Sequence, residues 1–465
     1  MRQGDNLSPT LFNIFVNDLP NIFDETCFPA SYGDLTLHCL LYADDLVLFS
    51  ESDVGLQNCL DKLYRFCDLW SLDINVTKTK YMCVGKAPSK EAFLYGNSQL
   101  SRVSSYKYLG LELHEDGDMQ FTKKDLGRRA LKAFYSLSKN FSSVPKVSML
   151  NHLFDHLVKP ILLYGSEITG QCNIPDQNVN FNISDSESAT FFKNIKKTFP
   201  YVSKYINSDD PLERVHLRYC KFALGVHAKT TNLAVYGELG RYPLFIDQVV
   251  SVAKYMYHME YSSNNKLLRL FYDNVRKNKA SLGKNSIVAF VQNINKVLGL
   301  SAPTHSKAVK QYSTRLRKKL ANNFRMYWSQ MINSDHTKSK QGGNKLRTYR
   351  LFKQNFGYEN YLNIANSNLR KELARFRTSS HHLKIETGQR AMTSKGSDLV
   401  TKAGQLVNKC KCPLNGPTND LVFDWLIKWL YYISCTPCGY NFYCYSRLYS
   451  TLVVRHNRND QNMTV

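Results

Sequence analysis

The sequence lacks a run of about 18 uncharged apolar residues, which excludes an obvious membrane-spanning helix. The best apolar candidate, residues 421–435, is interrupted by Asp424 and Lys428. The first residues, MRQGDNLSP, contain no apolar core of a signal peptide. We therefore expect a protein with no membrane partner that is nuclear, cytoplasmic or both, and that is not secreted.

Acidic residues are scarce in one part of the chain. Residues 301–380 contain 17 Lys and Arg against 3 Asp and Glu, whereas residues 1–150 contain 16 against 18. A basic block attached to a neutral one predicts an arm that binds a polyanion. A solvated basic surface that keeps the protein soluble is the alternative interpretation.

The composition of the 465 residues is otherwise that of a globular protein. Apolar residues make up 43% and charged residues 21% of the chain, which argues against wholesale disorder. The 12 cysteines are scattered, and Cys39, Cys59, Cys67 and Cys83 lie within apolar patterns. This distribution predicts buried, reduced thiols.

The order of the sequence patterns predicts an α+β fold, with helices packed on a small antiparallel sheet. Ser8 as N-cap and Pro9 predict a first helix, and the apolar runs 37–42 and 46–49 predict a β-hairpin. A helix over 56–70 and strands over 80–84 and 106–113 follow, after which the periodicity is mostly helical. The predicted regions are a sheet-containing region at 1–115, a helical region at 116–300, a basic helical region at 301–390 and a tail rich in Cys and aromatic residues at 391–465.

The hairpin contains the motif Tyr42-Ala43-Asp44-Asp45 at its tip. Two adjacent carboxylates repel each other unless a cation screens them, and Mg²⁺ prefers oxygen ligands. Two such ions can stabilise the attacking and leaving oxygens of a phosphoryl-type transfer. An ordinary exposed turn is the alternative, because Asp is common in turns.

Four segments in order carry a family resemblance: RQGDNLSPTLFNIFVNDLP, LLYADDLVLFS, DINVTKTKYM and YKYLGLEL. Together they resemble the reverse transcriptases of non-LTR, LINE-like retrotransposons. The resemblance continues through KPILLYGSEITG, ERVHLRYCKFALGV and YGELGRYPL. It implies a polymerase palm followed by a helical thumb, an RNA template, a DNA primer, dNTP substrates and a Mg²⁺ cofactor.

The resemblance assigns catalytic roles to three residues. Asp44 and Asp45 correspond to the paired aspartates that bind Mg²⁺ in the palm. Lys78 corresponds to a lysine near the nucleotide phosphates that could donate a proton to pyrophosphate. A solvated lysine at a strand edge is the alternative for Lys78.

The resemblance also assigns binding roles. Nucleotide and template contacts are implied for Arg2, Gln3, Gly4, Tyr42 and Ala43. A primer grip is implied for Tyr108, Leu109 and Gly110, for which a plain core strand is the alternative.

One expected element has no counterpart. In the family a third palm aspartate lies on a strand before the Gln-Gly loop, which here begins at Gln3. We therefore expect an N-terminally truncated polymerase that is inactive alone, with an unpaired strand edge and an exposed apolar face. The alternative is a non-catalytic, nucleic-acid-binding remnant of a retrotransposon.

Two C-terminal features leave alternatives open. Cys410, Cys412, Cys435 and Cys438 could form a four-thiolate zinc site, although unligated thiols fit the broken spacing better. In the basic block, aromatic residues interleave with Lys and Arg, a pattern that fits either base stacking on single strands or helices with an aromatic core. The aromatic residues in question are Tyr312, Phe324, Tyr327, Trp328, Tyr349, Phe352 and Phe356.

Overall fold

A computed structural model describes residues 7–85, 92–140, 146–170, 209–261, 265–277, 286–333 and 346–380. The described strands are β1 Ala30–Tyr32, β2 Leu35–Leu37, β3 Cys39–Tyr42, β4 Asp45–Leu48, β5 Lys80–Tyr81, β6 Leu94–Tyr95, β7 Ser98–Gln99, β8 Ser101–Arg102, β9 Ser105–Tyr108 and β10 Leu111–His114. The described helices are α1 Ser8–Phe15, α2 Asp53–Leu69, α3 Gln120–Asn140, α4 Val147–Leu157, α5 Lys159–Leu163, α6 Ser166–Thr169, α7 Pro211–Leu224, α8 Asn232–Leu239, α9 Phe245–Glu260, α10 Lys266–Lys277, α11 Ile287–Leu298, α12 Ala308–Asn333, α13 Arg347–Phe352 and α14 Ser367–Arg377. All of these elements belong to one compact unit, whereas a 3₁₀ turn at Asn360–Asn363 belongs to a second.

The mixture of helices and short strands confirms the α+β class. The strands, however, do not form the single antiparallel sheet that the sequence predicts. They pair as five two-stranded sheets within the described residues, and the β5–β8 pair is parallel. The strands are only two to four residues long, so each pair depends on the helices packed against it.

Helix α1 begins at Ser8, with Pro9 in its first turn as predicted. The prediction of Ser8 as N-cap is wrong, because Leu7 holds that position and its carbonyl accepts the Leu11 N–H at 3.0 Å. Leu7, Leu11 and Ile14 lie one turn apart along the helix and are exposed. Helix α1 therefore exposes an apolar stripe, whereas the apolar face expected beside the Asp-Asp hairpin stays a prediction.

Helix α2 supports the hairpin-containing region. Its N-cap Ser52 accepts a hydrogen bond from the Gly55 N–H at 3.0 Å, and it runs three residues further toward the N-terminus than predicted. The buried face of α2 packs with residues from the segments before β1 and after β5. The resulting core consists of Leu19, Phe23, Cys27, Cys59, Leu60, Leu63, Phe66, Cys67, Phe93, Tyr95 and Leu100.

Cysteine burial agrees in part with the prediction. Cys59 and Cys67 are buried free thiols, whereas Cys39 and Cys83 are only partly buried. Burial raises the pKa of Cys59 to about 12, so this thiol stays protonated at neutral pH.

A second core lies among helices α7 to α13, with α12 at its centre. The aromatic side chains of α12 point into it: Tyr312, Phe324, Tyr327 and Trp328 are each no more than 4% exposed. Tyr349 of α13 is also fully buried, and Phe356 packs against the same core. For these residues base stacking is wrong and the aromatic-core alternative is confirmed.

Several sequence predictions fall on residues that the structure does not describe. Arg2, Gln3, Gly4 and the zinc candidates Cys410, Cys412, Cys435 and Cys438 lie outside the described residues. The predicted region boundaries at 115, 300 and 390 stay predictions. In the described part of the chain, no helix is both long and apolar enough to cross a bilayer.

Candidate active site

The Asp-Asp pair lies at the tip of the β3–β4 hairpin, as predicted. Tyr42 pairs with Asp45 across the two strands, so Ala43 and Asp44 form a two-residue turn. Both carboxylates are exposed, and the Tyr42 side chain beside them is 63% exposed. The turn therefore presents two carboxylates to solvent.

The backbone of Ala43 has a φ of 52°, in the left-handed region. A residue with a Cβ pays about 1–2 kcal/mol for this conformation, and Gly would be the usual choice at the first position of such a turn. Strain of this kind concentrates at functional sites, where the surrounding structure holds it in place. The Ala43 conformation sets the direction in which Asp44 leaves the hairpin.

A second turn joins β9 and β10. The sequence predicts one strand over 106–113, but the structure divides it: Tyr108 pairs with Leu111, and Leu109 and Gly110 form the turn. Leu109 has a φ of 45° and Gly110 a φ of 81°, the signs that a tight hairpin turn requires at both central positions. The plain core strand proposed as the alternative for residues 108–110 is wrong.

Asp45 on the first hairpin influences Tyr108 on the second through its charge. The pKa of Tyr108 is raised, first by partial burial of its hydroxyl and then by the negative charge of Asp45. A carboxylate acts on a phenol in this way only when the two groups are close. The charge of Asp45 therefore reaches Tyr108, although the two residues are 63 positions apart in the sequence.

A residue of α3 and the residue that follows α5 fix the second turn in place. Arg129 on α3 donates from Nη2 to the Gly110 carbonyl at 2.7 Å, and the Tyr164 hydroxyl donates to the Leu109 carbonyl at 2.6 Å. A Cβ on Gly110 would lie 3.3 Å from the Tyr164 ring. Sequence reasoning missed both anchors, although Tyr164 lies within the KPILLYGSEITG segment.

Replacing Gly110 with Ala is expected to lower the free energy of unfolding by about 1–2 kcal/mol, because a Cβ is strained at positive φ. The new methyl group also crowds the Tyr164 ring. Gly117 is the matched control, since its φ is 69° and nothing lies within 4 Å of an added Cβ. Urea unfolding should show a larger loss for Gly110→Ala than for Gly117→Ala; equal losses would mean that Tyr164 does not enclose the turn.

Asp125 organises the cations behind the second turn. This buried carboxylate forms ion pairs with Arg128 at 2.7 Å, Arg129 at 3.0 Å and Lys107 at 3.6 Å. Burial raises the pKa of Asp125, but the hydrogen bond from Arg128 and the three positive charges outweigh burial, so the net pKa is lowered. Asp125 thereby holds Arg129 where it can reach Gly110.

Replacing Asp125 with Asn is expected to cost about 1–3 kcal/mol of unfolding free energy at neutral pH, since three cations lose their partner. The folded pKa of Asp125 is depressed, so its stabilising effect is present above the unfolded value of about 3.9 and is lost as pH falls through the folded pKa. Unfolding curves between neutral and strongly acidic pH should show the two proteins converging at low pH. A difference that stays constant with pH would contradict the ion-pair assignment.

Lys78 lies in an exposed turn that ends just before β5. Its backbone N–H donates to the side chain of Asn75 at 3.1 Å, which fixes the turn but not the lysine head group. Within the described residues, no ion pair or hydrogen bond joins Lys78 to Asp44 or Asp45. Its catalytic role stays a prediction.

The donor set at the tip suits a hard cation. Mg²⁺ is commonly bound through one or two carboxylates, with water and substrate phosphates completing its octahedron, and Asp44 and Asp45 supply such carboxylates. In the part of the chain that the structure describes, no three His, Cys, Asp or Glu side chains cluster to enclose a metal. The exposed pair therefore fits an open site of this kind rather than an all-protein cage.

Comparison with known proteins gives the family of this region. Residues 1–113 match the family described as reverse transcriptase (RNA-dependent DNA polymerase). The chain is 32% identical over 127 residues to the retrovirus-related Pol polyprotein from type-2 retrotransposable element R2DM of Drosophila melanogaster. That alignment covers 25% of this chain and 12% of the relative.

Two further relatives show the same relationship. The chain is 35% identical over 132 residues to a transposon-derived protein of Caenorhabditis elegans, an alignment that covers 28% of this chain and 47% of the relative. It is 25% identical over 179 residues to the RNA-directed DNA polymerase from mobile element jockey of Drosophila melanogaster. That alignment covers 36% of this chain and 19% of the relative. The chain thus spans less than half the length of each of these relatives.

No solved structure matches the chain. The family profile covers both turns of the candidate site, and the relatives include polymerases of the R2 and jockey elements. Residues 1–113 of this chain therefore match the reverse transcriptase family and are similar to proteins of non-LTR retrotransposons.

Proposed function

We propose that the two turns form part of the nucleotidyl-transfer site of an RNA-directed DNA polymerase. The observation that carries the proposal is the exposed pair Asp44 and Asp45 at the tip of the β3–β4 hairpin. The charge of Asp45 also reaches Tyr108 at the end of β9. In the complete polymerase, the primer 3′-hydroxyl would attack the α-phosphate of a dNTP on an RNA template and release pyrophosphate.

Asp44 and Asp45 would hold Mg²⁺ in this site. The ions would lower the charge on the reacting phosphates and favour the ionised form of the primer hydroxyl. The chain's contribution is to fix both carboxylates on a turn whose backbone is closed by the Tyr42–Asp45 pair. A rigid carboxylate pair does not need to reorganise during the reaction.

The neighbouring residues would position the substrates. Tyr42 and Ala43 would lie beneath the primer end and the incoming nucleotide, where the exposed Tyr42 ring offers a flat contact surface. Tyr108, Leu109 and Gly110 would hold the primer, with Arg129 and Tyr164 keeping their turn in place. Arg2, Gln3 and Gly4 would contact nucleotide and template, and Lys78 would face the nucleotide phosphates.

The test is DNA synthesis on a primed RNA template. This chain would be joined to the part of the R2DM polyprotein that precedes its aligned segment, so that a complete polymerase is assayed. We expect Mg²⁺-dependent dNTP incorporation that requires the RNA template. A well-folded chimera that incorporates nothing, while the unchanged R2DM polyprotein does, would contradict the proposal and favour the non-catalytic, nucleic-acid-binding alternative.

A further inference from the structure

We propose that the outward face of α12 binds the phosphate backbone of a nucleic-acid strand, without reading its bases. The face is defined by Lys310, Arg315, Lys318 and Lys319, which are all exposed. None of these side chains forms an ion pair or side-chain hydrogen bond with any residue that the structure describes. Helix α12 contains no Asp or Glu over its 26 residues.

The structure separates these four cations from the two other cations of α12. Arg317, on the same helix, is paired with Asp247, and Arg325 donates to the Tyr242 hydroxyl at 2.6 Å. Cations further along the block are also committed to the fold. They are Lys353 with Glu359, Arg375 with the Gly225 carbonyl and Arg377 with Glu238.

Three of the four cations cluster on the outward half of α12. Arg315, Lys318 and Lys319 lie within about 100° around the helix, whereas Lys310 lies on the opposite edge of that half, about 14 Å from Lys319 along the helix axis. Arg315 and Lys319 lie one turn apart, with Lys318 beside both. Like charges this close destabilise an isolated helix, and a bound polyanion relieves that repulsion.

The opposite face of α12 explains why the bases would not be read. Tyr312, Phe324, Tyr327 and Trp328 are buried in the core, and the Trp328 indole N–H donates to the Leu233 carbonyl at 2.8 Å. These rings cannot stack on bases without unfolding the helix. Recognition by the outward face therefore rests on charge, which RNA and single-stranded DNA share.

The test measures binding of a short labelled RNA to the full chain by fluorescence anisotropy across a salt series. The variant carries Lys310→Gln, Arg315→Gln, Lys318→Gln and Lys319→Gln. Four lost phosphate contacts make the slope of log affinity against log salt shallower by about 3 on a single strand. Between about 50 and about 200 mM salt, the variant's loss of affinity is then about 50-fold smaller than that of the unchanged chain.

A matched control removes the same charge elsewhere. Its changes are Lys132→Gln, Lys139→Gln, Lys254→Gln and Lys296→Gln, at exposed positions on α3, α9 and α11. We expect the control to keep most of the slope, and single-stranded DNA of the same sequence to behave like RNA. The proposal would be overturned if the control variant lost as much of the salt slope as the α12 variant. It would also be overturned if the α12 variant bound RNA like the unchanged chain.

Two further arms keep the result unambiguous. A variant that combines Lys310→Arg, Lys318→Arg and Lys319→Arg retains the positive charge and should retain RNA binding. Retained binding shows that the Gln variant loses affinity because it loses charge, and not because three lysines are replaced. Binding to phosphatidylserine vesicles in preference to RNA would overturn the nucleic-acid assignment. The assay contains no dNTP, so its outcome is independent of polymerase chemistry.

Discussion

Replacing Trp328 with Ala is expected to lower the free energy of unfolding by about 3–5 kcal/mol, among the largest effects of any single core substitution. The side chain is 1% exposed, and its ring packs edge-on against Phe356 at a centroid distance of 5.4 Å. Truncation leaves a cavity at the centre of the helical core and removes the donor that satisfies the Leu233 carbonyl. Urea unfolding of the full chain measures the loss.

Met326 provides the matched control for this substitution. It lies two residues away on α12 but is 51% exposed, so Met326→Ala is expected to change stability by no more than about 0.5 kcal/mol. Trp328→Phe keeps most of the apolar volume and should bind RNA like the unchanged chain. Equal stability of the two Ala variants, together with weaker RNA binding by Trp328→Phe, would contradict the core assignment.

The β3–β4 hairpin and α2 could be predicted because their patterns are local. Apolar residues on both sides of Ala43-Asp44 pair directly across the turn, and the apolar period of α2 matches one buried helical face. The position of the carboxylate pair at the tip follows from the pairing register alone. Local pattern was sufficient here.

The β9–β10 turn could not be predicted in this way. Leu109 adopts a positive φ that local propensity disfavours, and its carbonyl is fixed by Tyr164, 55 positions further along the chain. Apolar and aromatic residues dominate 106–113, and this local pattern predicts a single strand. Tertiary contacts, rather than the residues of the turn itself, determine where the chain reverses.

The sequence of the basic block also could not show which cations are paired within the fold. In sequence, Arg317 and Lys318 are equivalent neighbours, yet only Arg317 faces Asp247 of α9. The spacing of the aromatic residues fits both a core and a stacking surface, because both require one face of a helix. Only the packing of α12 against α8 and α9 distinguishes the two.

Replacing Asp44 with Asn is expected to reduce RNA-templated DNA synthesis by several orders of magnitude in the chimeric polymerase. A neutral amide is a poor ligand for a hard cation, and it removes half of the negative charge at the turn. The fold should tolerate the change, because Asp44 is exposed and lies in a turn. Asp45→Asn is expected to reduce synthesis in the same direction.

Asp68 supplies the control, because it is an exposed aspartate on α2 and belongs to neither turn. The most direct measurement is the rate of dNTP incorporation on a primed RNA template across a Mg²⁺ titration, compared among the unchanged chimera, Asp44→Asn and Asp68→Asn. We expect Asp68→Asn to follow the unchanged chimera at every Mg²⁺ concentration, while Asp44→Asn stays several orders of magnitude below both. An Asp44→Asn chimera that matches Asp68→Asn would show that the β3–β4 turn does not hold the catalytic metal.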